Sequence, residues 1–117
     1  MAQVRPPQHL QIDTRQHGDT VLVRLSGEFD LAAEELFDRT LDELSRSARA
    51  IVLDLRELGF IDSSGLRALL RAWERSRTDG HDLTFVPGDG QVRHTMELTG
   101  LDAVLPMVAE PPSPNGA

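Results

Sequence analysis

Asp62-Ser63-Ser64-Gly65-Leu66 is the stretch of this chain whose residue types could do chemistry. It follows an apolar run over residues 50–55 and opens a segment in which Leu66, Leu69, Leu70 and Trp73 recur at helical spacing. The polar residues therefore fall at a helix N-terminus. Backbone N–H groups lack intrahelical partners there, and the helix dipole makes that end partly positive. A Ser or Asp in this position caps the helix. The same geometry accepts an anion such as a phosphoryl group. Gly65, within the first turn, keeps bulk off the loop and leaves room for a partner near the backbone. Capping alone accounts for Asp62 and Ser63. It accounts poorly for Phe60-Ile61 directly before the cap and for a glycine inside the first turn.

Other constellations carry less. Asp30 and Asp62 each close a strand of a sheet expected to be parallel, which brings them near each other, yet no His stands nearby in sequence to activate a nucleophile. His9, His17, His81 and His94 are scattered without metal-ligand spacing. The chain has no Lys, which excludes a lysine nucleophile or a P-loop lysine, and dinucleotide and nucleophile-elbow motifs are missing. No catalytic residue, cofactor or metal is expected, and the chain does not read as an enzyme. Asp30 reads as a helix cap, a partner contact, or both. Arg67, Arg71 and Arg75 repeat every four residues and read as a solvated face, with contact to an acidic partner as the alternative. Trp73 reads as core, and Gly88-Asp89-Gly90 as a turn rather than a phosphate cradle.

Composition narrows the partners. The net charge is −7 and all 12 basic residues are Arg. Such a chain is repelled by nucleic-acid phosphates and by an acidic membrane surface, and is complementary to a basic docking face. At 117 residues it holds one compact domain. No apolar run approaches the ~20 residues of a membrane span, and the N-terminus has no apolar signal core. Cysteine is absent, which fits a cytoplasmic location.

The elements that must position Ser63 follow from periodicity. Residues 10–14 alternate as a half-exposed strand, His17-Gly18-Asp19 turns, and residues 20–26 form a second strand with Val21, Val23 and Leu25 on one face. The short turn makes this pair antiparallel. After Asp30 the period becomes helical, with Ala33, Leu36, Phe37, Leu41 and Leu44 on one face. Residues 50–55 read as a strand covered on both sides. A second helix runs to Gly80, a strand covers 83–86, and a third helix spans 91–99 with Val92, Met96 and Thr99 inward. Residues 104–108 add a frayed edge strand around Pro106. The expectation is an α/β fold with a mixed, mostly parallel sheet of four to five strands and about three helices. Residues 1–8 form a flexible lead-in, 9–108 the domain and 109–117 a disordered Pro-rich tail.

Three motifs occur in register: Leu25-Ser26-Gly27-Glu28-Phe29-Asp30, read as a turn, the stretch IDSSGLRALL after IVLDLRELGF, and Met96-Glu97-Leu98-Thr99-Gly100-Leu101. Together they resemble the STAS domain over residues 9–108, and more narrowly the anti-sigma factor antagonists of partner-switching systems. That resemblance implies a STAS-like fold and a protein that, unphosphorylated, holds an anti-sigma factor that is also an ATP-using serine kinase, freeing a sigma factor. It implies phosphorylation of the serine directly after the motif's Asp, here Ser63, and reversal by a serine phosphatase. It also implies partner contacts at Gly27, Glu28, Asp30, Asp62, Ser64, Gly65, Leu66 and Arg67. Arg67 departs from the pattern, where many relatives have Gly, and places a positive charge beside Ser63. The alternative the domain allows is a structural accessory subunit of a lipid or anion transport complex.

Overall fold

The computed structural model describes residues 8–112. Residues 1–7 and 113–117, where most of the expected lead-in and the end of the expected tail fall, lie outside the described residues. The elements run β1 (Gln11–His17), β2 (Thr20–Phe29), a 3-10 turn (Leu31–Ala33), α1 (Glu34–Leu44), β3 (Ala50–Ile61), α2 (Ser63–Asp79), β4 (Asp82–Val86), α3 (Gln91–Thr99) and a second 3-10 turn (Leu101–Ala103). The described strands form one sheet in the order β1-β2-β3-β4. The β1–β2 pair is antiparallel, and β2–β3 and β3–β4 are parallel. This is the expected mixed α/β architecture. Right-handed crossovers between strands that are consecutive in both chain and sheet put α1 and α2 on one face.

Two strands run longer than periodicity indicates. β2 continues through Ser26-Gly27-Glu28-Phe29, the segment read as a turn, and β3 continues to Ile61. The pairing survives because the register shifts twice, between Arg24 and Ser26 and between Gly27 and Glu28. Such bulges hide the alternation that a sequence reading relies on. Gly27 sits at φ +87°, and a side chain there would collide with the His9 carbonyl oxygen. Its neighbour Glu28 donates its N–H to the Gln8 carbonyl at 3.0 Å, so the chain before β1 lies across the bulge.

The core lies between the sheet and its helices. Val21, Val23 and Leu25 are buried as expected, and Phe37 and Leu41 anchor α1. The rings of Phe37 and Phe29 meet with centroids 4.9 Å apart, which ties α1 to the end of β2. Leu36, expected inward, is exposed: it falls on the outer flank of the apolar arc. Leu66 and Leu69 are buried on α2, and Leu70 and Trp73 pack at the core's edge. The Arg77 guanidinium lies 5.0 Å above the Trp73 ring. On α3, Val92 and Met96 are buried, whereas Thr99, expected inward, is exposed and donates its hydroxyl to the Thr95 and Met96 carbonyls. The expected edge strand over 104–108 reduces to one parallel bridge, Phe85 to Met107. Pro106 contributes its carbonyl to Phe85 N–H, and Val108 N–H returns to the Phe85 carbonyl. A residue without an N–H can open such a bridge but cannot extend it.

β3 is buried on both faces from Ile51 to Leu55, Asp54 included. The Asp54 carboxylate accepts from Arg56 Nε and Nη2, both at 2.9 Å, and from Arg56 N–H at 3.1 Å. Arg24 Nε on β2 lies 3.7 Å away. Burial alone pushes this carboxyl's pKa up. The side-chain and backbone hydrogen bonds of Arg56, together with the charges of Arg56 and Arg24, outweigh burial and hold it below the ordinary carboxylate value. A carboxyl depressed in the folded state stabilises the fold in full above its unfolded value, about pH 4, and stops doing so as pH falls through its own lower value. Asp54→Asn is expected to cost about 1–3 kcal/mol at neutral pH and to flatten the loss of stability below about pH 4. Urea unfolding across pH 2–7 reads both effects, and an unchanged acid limb in the variant would count against this role.

Candidate functional site

The site is built at the C-terminal ends of β2 and β3. Phe29 pairs with Ile61, and the Asp62 N–H donates to the Phe29 carbonyl at 3.2 Å, so the two strands are held together to their last residue. Asp62 then leaves the sheet in extended conformation and caps α2. Its carboxylate accepts from Gly65 N–H at 3.1 Å, and its carbonyl accepts from Leu66 N–H at 3.0 Å. Ser63 is thus the first helical residue, fixed by the cap before it, and it is exposed.

The next three residues face inward. Ser64, Gly65 and Leu66, expected at a partner contact, are buried, so they serve the docking of α2 on the strand ends. A Cβ on Gly65 would lie 2.6 Å from Ile61 Cγ1 and 2.8 Å from the Phe29 carbonyl oxygen. The glycine lets the helix approach the sheet, and the partner-accessible side of this turn is left to Ser63 and Arg67, both exposed.

Asp30 ends β2 beside Asp62. It occupies the N-cap position of the 3-10 turn over Leu31–Ala33, and its carbonyl accepts from Ala33 N–H at 3.1 Å. Its carboxylate makes no cap hydrogen bond, and α1 begins only at Glu34. The expected helix cap is therefore a backbone turn, and the Asp30 charge is left unused by it. Glu28, half-buried, lies opposite Phe60 in the strand register. Leu31 (67% exposed) and Phe60 (39%) present apolar surface at these same strand ends. A recess of about 220 Å³ lined by His9, Asp30, Ala32 and Leu36 adjoins them. Ser63 thus follows the end of β3, and the neighbouring end of β2 carries Glu28, Asp30 and the exposed Leu31.

The arginine row on α2 behaves differently from the solvated face expected. Arg71 pairs with Glu34 at 3.0 Å and Asp38 at 3.1 Å, and Arg75 pairs with Asp42. Two of the three arginines are committed to α1 of the same chain. A signal for this was present: Glu34, Asp38 and Asp42 repeat every four residues, the same step as the arginines. Leu31 had no such signal, and for Phe60 the only sign was an aromatic directly before the cap, since the exposure of both depends on where the bulged strands end. Among the described residues no group of three or more His, Cys, Asp or Glu side chains is placed to hold a metal. No described helix is long and apolar enough to cross a membrane.

Comparison with known proteins places this geometry. The STAS domain family profile matches residues 11–111. An anti-sigma F factor antagonist from Paenibacillus polymyxa is 31% identical over 101 residues, covering 85% of this chain and 86% of that protein. The chain belongs to the STAS family of anti-sigma factor antagonists. This is a family of non-catalytic regulators. A crystal structure of an anti-sigma factor antagonist from Mycobacterium paratuberculosis superposes with a TM-score of 0.79 at 25% identity, covering 92% of each chain. The antagonist SpoIIAA in its unphosphorylated form matches with a TM-score of 0.68 at 22% identity, covering 86% of this chain and 89% of that one. SpoIIAA in its phosphorylated form matches with 0.64 at 21%, covering 86% and 92%. At these identities the SpoIIAA likeness concerns the fold.

Gly65→Ala tests how this STAS domain seats its site. In an exposed helical turn, Ala in place of Gly gains up to about 1 kcal/mol. Here overpacking against Ile61 and Phe29 is expected to reverse the sign and cost about 1–3 kcal/mol. Thermal or urea unfolding decides, and a more stable variant would contradict the close approach.

Proposed function

We propose that this chain is an anti-sigma factor antagonist controlled by phosphorylation of Ser63 and acting in the cytoplasm. Unphosphorylated, it binds an anti-sigma factor that is also a serine kinase and so frees a sigma factor. That kinase, using ATP bound in its own site, phosphorylates Ser63 and the complex separates. A serine phosphatase restores the binding form. The chain acts as a regulator and not as an enzyme, with no cofactor of its own. Its partners include neither nucleic acid nor membrane.

One observation carries the reading: Ser63 is the exposed first residue of α2, directly after the Asp62 cap. The docking surface lies around it. Leu31 and Phe60 supply apolar contact, and Glu28, Asp30 and Asp62 supply charge for a basic partner face. Gly27 shapes the strand end beneath, and Arg67 borders the helix side. A phosphate adds about −1.5 to −2 charges. On the isolated domain water and the helix N-terminus accommodate it. In a docked interface it meets the three carboxylates with water excluded, where like charges are most costly. The existence of SpoIIAA in unphosphorylated and phosphorylated forms on the same fold agrees with a switch of this kind.

The test is incubation of the purified chain with its cognate anti-sigma kinase and ATP, with phosphate mapped by mass spectrometry and affinity measured for two variants. Phosphate on Ser63 is expected. Ser63→Ala should bind the kinase as tightly as the unmodified chain, and Ser63→Asp at least about tenfold more weakly, the equivalent of about 1.4 kcal/mol. Equal affinities of the two variants would contradict the switch, and ATP hydrolysis by the chain alone would contradict the regulator reading.

A further inference from the structure

The three arginines of α2 face three carboxylates of α1, but the acid at the first rung is taken by the arginine of the second. Arg75 is matched to Asp42, and Arg71 to Asp38 and Glu34. One step further toward the N-terminus stands Arg67, exposed, and Glu34, the acid at that step of α1, is held by Arg71. Among the described residues Arg67 makes no ion pair. Asp62 spends its carboxylate on the Gly65 N–H. Four residues before Arg67, on the same face of the helix, is Ser63. Residues four apart on a helix are neighbours, and an anion placed N-terminal to a cation at this spacing is the favourable order.

We propose that Arg67 is an intramolecular clamp for phosphorylated Ser63, with the phosphate supplying the anion that Arg67 lacks while Glu34 is held by Arg71. This rests on Ser63 being the modified residue and adds how the modified state is held. The phosphoryl oxygens take the Arg67 guanidinium, a charge-assisted contact that matches the geometry of both groups. Two consequences follow. The phosphorylated chain is the more stable one, because the pair forms inside α2 without moving another element. Arg67, itself at the edge of the docking surface, is also withdrawn toward its own helix when Ser63 is modified. The change in the partner's view of the surface is then a new anion together with a sequestered cation.

The charged groups at this end of the sheet are Asp62 on the phosphate's own turn, Asp30 and Glu28 at the end of β2, Glu34 held by Arg71, and Arg67. The carboxylates disfavour the phosphate dianion and Arg67 favours it. The experiment installs phosphoserine at position 63 during protein synthesis, so no kinase is involved. The phosphate is then titrated by phosphorus NMR in the full chain at low and high salt. In Arg67→Gln the second phosphate pKa is expected to rise by roughly 0.3 unit relative to the unsubstituted chain, the scale of one i,i+4 ion pair. Arg67→Lys should recover part of that difference, and 1 M salt should erase most of it. Arg75→Gln, whose partner Asp42 lies two helical turns beyond Glu34, should leave the phosphate titration where it was. Phosphorylation should also raise Tm more in the unsubstituted chain than in Arg67→Gln. Coincident titrations of the unsubstituted and Arg67→Gln chains would overturn the clamp, as would an equal shift in Arg75→Gln. Because no partner takes part, this result is separate from the kinase-binding test: loss of the clamp would leave the switch standing, and loss of the switch would leave the clamp standing as a property of the modified helix.

Discussion

The first turn of α2 can lie against the sheet only because Gly65 has no side chain. The Phe29 carbonyl is the point about which the site is assembled. It accepts from Asp62 N–H and lies within contact distance of where a Gly65 Cβ would be, while the Phe29 ring packs on Phe37 of α1. Strand end, helix start and the neighbouring helix meet at one residue. With Asp62 extended and its carboxylate tied to Gly65 N–H, the direction of the next side chain is settled. Ser63 is exposed as a consequence of how Ser64, Gly65 and Leu66 are buried. A modifiable residue held in this way presents a charge at a fixed place on a surface whose shape is already determined.

Charge is distributed in keeping with that role. Asp54, the buried carboxylate of β3, is neutralised by Arg56 and Arg24 and takes part in the fold alone. Glu34, Asp38 and Asp42 are joined to Arg71 and Arg75 and bind α1 to α2. Exposed pairs of this kind contribute about 0–1 kcal/mol each, so they orient the helices more than they stabilise them. Asp30 and Arg67, near the turn that carries Ser63, stand outside these networks, in a chain with net charge −7.

Much of this was legible in the sequence, and the parts that were not have physical causes. The antiparallel opening pair, the parallel strands and the three helices follow from periodicity, because one-sided burial forces apolar residues to repeat at the element's own period. The cap at Asp62 follows from residue type. The ends of β2 and β3 do not, since two register shifts and the positive φ of Gly27 break the alternation there. Leu36 and Thr99 are apolar or small residues at the flank of a helical face, where a turn of a few degrees decides burial and spacing alone does not. The backbone turn at Asp30 looks like a side-chain cap because the same residue type serves both. Residues 104–108 have strand-like composition, but Pro106 limits them to a single bridge. For Gly65, sequence identified the special residue but not its close neighbour, the chain's own β2, which only the register of two distant segments brings near.

The central claim is that phosphorylation at Ser63 changes the charge of a preformed surface without changing the fold that presents it. Backbone amide NMR spectra of the unphosphorylated chain and of the chain carrying phosphoserine at 63 test this most directly. Shift changes confined to the first turns of α2, the 29–31 strand end and the neighbouring Phe60, with β1, β4 and α3 superimposable, are the predicted result. Changes spread through the sheet or α3, or loss of the Asp62 cap signal at Gly65, would contradict the account.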